Sequence, residues 1–132
     1  MNPVVHFEMP YDDRDRIAGF YRTVFGWKLQ MLGEEMGRYV LATTAEADAK
    51  ADAPRGAING GFFPRSAEMP GQHPSVVIGV PDIEASMRAV RQAGGEVLGT
   101  PMQIPGVGQY VAFRDTEGNR LSMLQPLEPG SA

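Results

Sequence analysis

A histidine and a glutamate stand two residues apart near the start of the chain, as His6 and Glu8. They fall within residues 4–9, an apolar stretch with β-branched residues that predicts a first strand. Because alternate residues of a strand project from the same face, the two side chains should lie together. A histidine beside a carboxylate can act as a general base, or the pair can line a ligand pocket. The alternative is a structural hydrogen bond that satisfies both groups inside the sheet.

Several other kinds of chemistry are excluded by residue type and spacing. The chain has no cysteine, so it can form neither a disulfide, a thiolate metal site nor a cysteine nucleophile. The glycine-containing turn at 105–108 is not followed by a helix or by Lys-Ser/Thr, as a phosphate-binding loop would be. The turn at 115–119 lacks the further ligands of a calcium loop and is predicted to close a hairpin.

The elements that position these side chains follow from hydrophobic spacing. In the first half, Asp13 is a candidate N-cap and Gly26 a helix stop, with apolar residues at helical spacing between them. Residues 44–55, rich in Ala and Asp, are predicted to form a loop rather than a short helix. The elements predicted for the first half are a strand at 4–9, a helix at 14–25 and strands at 27–31, 38–43 and 57–63.

The second half repeats this order after a linker at residues 67–74. Asp82 and Gly95 have the same separation as the cap and stop of the first helix, and each helix follows an apolar strand. The elements predicted for the second half are a strand at 75–80, a helix at 82–93, strands at 96–104, 109–114 and 120–125, and a frayed tail at 127–132. A tandem repeat predicts an α+β fold of two βαβββ modules, at about 3–66 and 75–126, whose curled mixed sheet surrounds a shared cleft.

Two sequence blocks carry a family resemblance over nearly the whole chain. They are FYRTVFGW at residues 20–27 and DTEGN at 115–119, and His6-Phe7-Glu8 precedes them. With these blocks the chain resembles the glyoxalase/bleomycin-resistance/dioxygenase (vicinal-oxygen-chelate) superfamily, in particular glyoxalase-like bacterial proteins. The resemblance implies paired βαβββ modules, a pocket inside each curled sheet and a homodimer. It also implies, for the metal-dependent members, a divalent ion held by the first and last strand of each module.

The repeat places the four ligand positions of that pattern at His6, Gly60, Ser75 and Ser122. Only His6 is a good ligand, because glycine has no side chain and a neutral serine hydroxyl is a poor donor. Glu8 could add a second donor from the same strand face, and His73 a third if the register shifts by two residues. We therefore expect no bound cofactor and disfavour a divalent metal.

A ligand pocket remains the expectation for these positions. Tyr110 and Tyr39 are equivalent in the repeat, so one should pack in the core while the other, Tyr110, reaches a ligand. Glycine inside the strand at Asn59-Gly60 favours close approach of a ligand or backbone, with room for core packing as the alternative. The residues predicted to line the pocket are His6, Glu8, Asn59, Gly60, Ser75, Tyr110 and Ser122.

Charge and hydrophobicity along the chain limit the classes of partner that the protein is expected to bind. The net charge is −4 and the Lys and Arg residues are scattered, which argues against nucleic acid. No apolar run is long enough to span a membrane, and the N-terminus lacks the pattern of a signal peptide, so a cytoplasmic protein is expected.

The favoured function is metal-free binding of a small organic molecule by a dimer. The alternatives are an isomerase, lyase or oxygenase-like enzyme using His6 and Glu8 for proton transfer, with or without a metal, and an accessory interaction domain.

Overall fold

A computed structural model describes residues 1–45, 57–68 and 72–127. The chain divides into two compact units. The first unit is His6–Pro74, and the second is Ser75–Ala132 together with Met1–Val5. Within the described residues each unit contains one α-helix and a mixed sheet, so the α+β class predicted from the sequence is confirmed.

The sheet of the first unit has the strand order β2-β3-β4-β1. Its first and last strands, β1 and β4, run parallel, and its other neighbours are antiparallel. The elements are β1 (Val4–Tyr11), α1 (Arg14–Phe25), β2 (Lys28–Met31), a 3₁₀ turn (Glu34–Met36), β3 (Val40–Thr43) and β4 (Gly60–Pro64).

The second unit has the same topology, with the strand order β5-β8-β7-β6 and parallel pairing of β5 with β8. The repeat of strand, helix and three strands is therefore present as predicted. The elements are β5 (Ser75–Gly79), α2 (Ile83–Gln92), β6 (Glu96–Ile104), β7 (Gly108–Arg114) and β8 (Arg120–Pro126).

Both helices begin at the predicted caps. The carboxylate of Asp13 accepts the backbone N–H of Arg16 at 2.9 Å, and that of Asp82 accepts the N–H of Ala85 at 3.1 Å. These bonds satisfy amide groups that a first helical turn leaves without a partner. At the other end of α1, Gly26 adopts φ 72°, the left-handed conformation that glycine tolerates best.

The structure departs from the sequence prediction at several boundaries in the first unit: β1 extends to Tyr11 rather than residue 9, and β4 begins at Gly60 rather than residue 57. A 3₁₀ turn occupies Glu34–Met36, between the second and third predicted strands, and β3 begins at Val40 rather than at residue 38. The predicted loop at 44–55 lies outside the described residues except for Thr44 and Ala45, and the predicted tail does so beyond Leu127.

Each unit packs its helix on one face of its own sheet. In the first unit Val40 and Phe62 are fully buried, and the α1 residues Ile17 and Tyr21 pack against the same cluster. In the second, Ile83 and Met87 of α2 are buried with strand residues such as Val111. These faces supply the apolar burial that holds each helix to its sheet.

The turn between β7 and β8 is a hairpin turn, as predicted. The carboxylate of Asp115 accepts the backbone N–H groups of Glu117 and Asn119 and the side-chain amide of Asn119, each at 2.9 Å. These hydrogen bonds to the charged form lower the pKa of Asp115. Within the described residues, no helix has both the length and the apolar character needed to cross a membrane.

Candidate functional site

His6 and Glu8 project from the face of the first unit's sheet that is turned away from α1. Along β1 they alternate with Phe7 and Met9, which pack with the core cluster on the α1 side. We call the opposite face, carrying His6, Glu8, Leu41 and Gly61, the distal face. Both predicted catalytic side chains are half-buried on it.

Strand register sets the neighbours of Glu8 on this face. Glu8 lies opposite Gly61 of β4, Gly61 lies opposite Leu41 of β3, and Leu41 lies opposite Gln30 of β2. Directly opposed residues share a face, so these four form one row across the sheet. Leu41 is 37% exposed, which places an apolar side chain beside the polar ones.

Tyr39 joins His6 to Glu8. Its hydroxyl donates to Glu8 Oε2 at 3.0 Å and lies 2.8 Å from His6 Nε2. The Tyr39 and His6 rings are nearly parallel, with centroids 6.3 Å apart. The three side chains therefore form one hydrogen-bonded chain on the distal face.

Burial affects the protonation of His6. Desolvation lowers the pKa of His6 below its ordinary value, and the nearby charge of Glu8 opposes this with a smaller upward effect. The uncharged imidazole is thus favoured at neutral pH, and this is the form that can accept a proton.

The residue that makes room for Tyr39 is Gly61. A Cβ atom added there would overlap the tyrosine ring and hydroxyl. A Cβ added at the neighbouring Gly60 would instead overlap the ring of Phe7, on the α1 side. The register therefore puts Gly61, and not the sequence-predicted Gly60, on the face of His6, while Gly60 provides space for aromatic packing.

The side chain of Asn59, another predicted pocket residue, hydrogen-bonds to the backbone that follows β3. Its side-chain oxygen accepts the backbone N–H groups of Thr44 and Ala45 at 2.8 and 3.0 Å. The Thr44 hydroxyl in turn donates to the carbonyl of Ile58. Asn59 thereby links the end of β3 to the start of β4.

The predicted site residues of the second unit form a separate polar pair. Ser122, only 4% exposed, donates its hydroxyl hydrogen bond to Tyr110 Oη at 2.6 Å. Ser122 lies opposite Val77 of β5, and Ser75 shares that face two residues earlier. The structure thus brings Tyr110 to Ser122 in one unit and Tyr39 to His6 in the other. Sequence reasoning proposed Tyr110 as a ligand contact and overlooked the Tyr39 network, although the repeat made the two tyrosines equivalent.

The donors do not fit the divalent metal that the family resemblance implies. Among the residues that the structure describes, no three His, Cys, Asp or Glu side chains are grouped to hold an ion. On the distal face His6 and Glu8 are two such donors, and both are hydrogen-bonded to Tyr39. Zinc sites need about three or four donors of this kind. His73, the third candidate, is exposed and precedes β5.

Two surface depressions lie elsewhere, around the start of α1. One of about 370 Å³ is bordered by Tyr11, Arg14, Arg38 and neighbouring aspartates, and one of about 360 Å³ by Ile17, Phe20 and their neighbours. Neither includes a residue of the His6–Tyr39–Glu8 network. Neither is lined by a histidine, so the network, which joins a histidine to a carboxylate, is the better candidate for acid–base chemistry.

Two copies of a βαβββ unit, each with parallel first and last strands, define the class of fold seen in the glyoxalase-type proteins. A sequence profile of the Glyoxalase/Bleomycin resistance protein/Dioxygenase superfamily matches residues 4–123, and the chain belongs to this superfamily.

Curated relatives agree with this membership. A glyoxylase-like domain-containing protein of Didymella fabae is 32% identical over 115 residues, covering 85% of this chain and 84% of its own. The anthracycline biosynthesis protein DnrV of Streptomyces peucetius is 30% identical over 120 residues, covering 85% of this chain. The putative glyoxylase CFP32 of Mycobacterium tuberculosis is 27% identical over 124 residues, covering 90% of this chain. The chain spans only 42% of the length of the last two proteins.

Solved structures share the fold. A methylmalonyl-CoA epimerase in complex with methylmalonyl-CoA and NH4+ superposes with a TM-score of 0.72 at 18% identity, covering 100% of this chain and 99% of its own. The methylmalonyl-CoA epimerase of Mycobacterium tuberculosis gives a TM-score of 0.69 at 16% identity, covering 94% and 87%. At such identities the likeness establishes the fold and no reaction.

Proposed function

We propose that the chain binds a small organic molecule on the distal face of its first unit without a metal ion. The observation that carries the proposal is the His6–Tyr39–Glu8 chain of hydrogen bonds, with the exposed Leu41 in the same row of residues as Glu8. Binding sites for small organic molecules combine an apolar surface with a few fixed polar groups. The proposal includes a homodimer, as the family resemblance implies, and a cytoplasmic location.

The test is a binding screen on the purified full chain with defined probes. An anthracycline is the first probe because DnrV, an anthracycline biosynthesis protein, is among the relatives, and an acyl-CoA is the second because the epimerases share the fold. Calorimetry should detect saturable binding of at least one member of a metabolite panel that contains both. His6→Ala and Leu41→Ala should weaken it, whereas His73→Ala, at an exposed residue before β5, should not.

Elemental analysis tests the metal-free part separately. Protein purified without chelators should contain well under one equivalent of Zn, Ni, Fe or Mn per chain. Near-stoichiometric metal would overturn that part, since it would show donors beyond His6 and Glu8.

A second candidate function is enzymatic proton transfer. It is favoured by the lowered pKa of His6, because a neutral imidazole hydrogen-bonded through Tyr39 to a carboxylate can act as a general base. Hydrogen–deuterium exchange into bound ligands in D2O, followed by NMR, separates it from simple binding. An enzyme would exchange a carbon-bound hydrogen of the ligand for deuterium. His6→Gln should abolish this exchange while the ligand still binds. A binding protein would show no exchange.

A further inference from the structure

We propose that Tyr39 is a positioning residue that fixes His6 as its Nε2–H tautomer and leaves Nδ1 as the basic nitrogen of the site. The inference deepens the proposed function, since it takes His6 and Glu8 as the binding pair. It is nonetheless tested on ligand-free protein, so its failure and the failure of ligand binding can be told apart.

The Tyr39 hydroxyl is shared by the two ionisable side chains. It lies within hydrogen-bond distance of both His6 Nε2, at 2.8 Å, and Glu8 Oε2, at 3.0 Å. A phenol has one proton to donate and can also accept. A carboxylate can only accept, so the Tyr39 proton is directed to Glu8.

The position of the proton on His6 follows from this arrangement. Because the only hydroxyl proton of Tyr39 is given to Glu8, the contact with His6 requires a proton on Nε2, which donates to Tyr39 Oη. In neutral imidazole the other nitrogen, Nδ1, then carries the lone pair. The negative charge of Glu8 thus determines, through one hydroxyl, which nitrogen of His6 is basic.

The fold holds Tyr39 in this place. Its ring lies over Gly61, the residue opposite Glu8 in the sheet, where any larger residue would collide with it. β4 therefore contributes no side chain between Tyr39 and the strand that carries His6 and Glu8. The equivalent tyrosine of the second unit, Tyr110, accepts a hydrogen bond from Ser122.

Nitrogen-15 NMR of the full chain tests the inference directly. The chain has only two histidines, His6 and His73, so His73→Gln assigns the signals. In wild type above the pKa of His6, its Nε2 should show the shift of a protonated nitrogen and its Nδ1 that of an unprotonated one. A dominant Nδ1–H form of His6 would overturn the proposal without any variant.

Two variants separate this role from simple packing. Tyr39→Phe keeps the ring but removes the oxygen that accepts from His6 Nε2–H. This hydrogen bond is stronger when His6 is protonated to the imidazolium, so its loss should lower the pKa of His6 further. If Tyr39 instead donated to Nε2, the same change would move that pKa up and overturn the inference. Glu8→Gln should let Tyr39 turn its proton toward His6 and raise the Nδ1–H population. Tyr110→Phe is the matched control and should leave both signals of His6 unchanged.

Discussion

The ring of Tyr39 lies across Gly61, in the space that any side chain at that position would need. This contact brings the tyrosine hydroxyl to His6 and Glu8, at 2.8 and 3.0 Å. The geometry of the polar network therefore depends on the absence of a single Cβ atom in β4.

Gly61→Ala should displace Tyr39 and disconnect the network. Because Gly61 is buried and its neighbour is an aromatic ring, we expect a loss of about 1–3 kcal/mol in the free energy of unfolding, as for other overpacked sites. Urea unfolding measures this loss, and the His6 signals should resemble those of Tyr39→Phe.

Gly19→Ala is the matched control. A Cβ at Gly19 meets no atom within 4 Å, and the residue lies inside α1. Alanine should stabilise the helix there by about 0.5–1 kcal/mol. Equal effects of the two substitutions would contradict the assigned role of Gly61.

Acid should destabilise the protein through His6. Burial lowers the pKa of His6 in the folded state below 6.5, its ordinary value, so the unfolded chain binds more protons between the two values. The free energy of unfolding should therefore fall as pH drops below about 6.5, by at most about 1.4 kcal/mol per pH unit.

Denaturation of wild type and His6→Gln between pH 5 and 8 isolates this contribution, since titrating groups other than His6 act in both proteins. The difference between their unfolding free energies should shrink as pH falls across the window. A difference that is constant with pH would show that His6 titrates alike in both states.

Much of the fold could be predicted because its signals are local. Asp13 and Asp82 cap their helices where spacing and residue type indicated, and the apolar spacing identified the buried side of α2. In α1 it did so only in part, because Phe20, Val24 and Phe25 are each more than half exposed. The 3₁₀ turn at Glu34–Met36 had no comparable signal, because three residues carry no periodicity.

The site was less predictable, because it depends on contacts between strands. The i, i+2 spacing correctly indicated that His6 and Glu8 share a face. Whether Gly60 or Gly61 joins that face depends on the register of β1 with β4, and a shift of one residue exchanges the two faces. The hydrogen bonds of Tyr39 to Glu8 and His6 span 31 and 33 residues of sequence, so they too depend on how the strands pair.

Phe62→Ala should be among the most destabilising changes in the first unit. Phe62 is 0% exposed and its ring contacts those of Phe7, Tyr21 and Trp27. Removal of such a ring costs about 3–5 kcal/mol. Phe20→Ala, at a phenylalanine that is 55% exposed, should cost less than about 1 kcal/mol in the same urea experiment. A similar loss for both would place Phe62 outside a packed core.

The Ser122–Tyr110 pair should contribute to stability through its hydrogen bond. Ser122 is almost fully buried and its hydroxyl lies 2.6 Å from Tyr110 Oη, so Ser122→Ala removes a bond shielded from water. A double-mutant cycle with Tyr110→Phe should give a coupling of about 0.5–1.5 kcal/mol, measured by urea unfolding of the four proteins. A cycle of Ser86→Ala with Tyr110→Phe is the control, because Ser86 lies on α2 and the helix packs on the other face of the sheet. Coupling near zero in the first cycle, or equal in both, would contradict a stabilising bond.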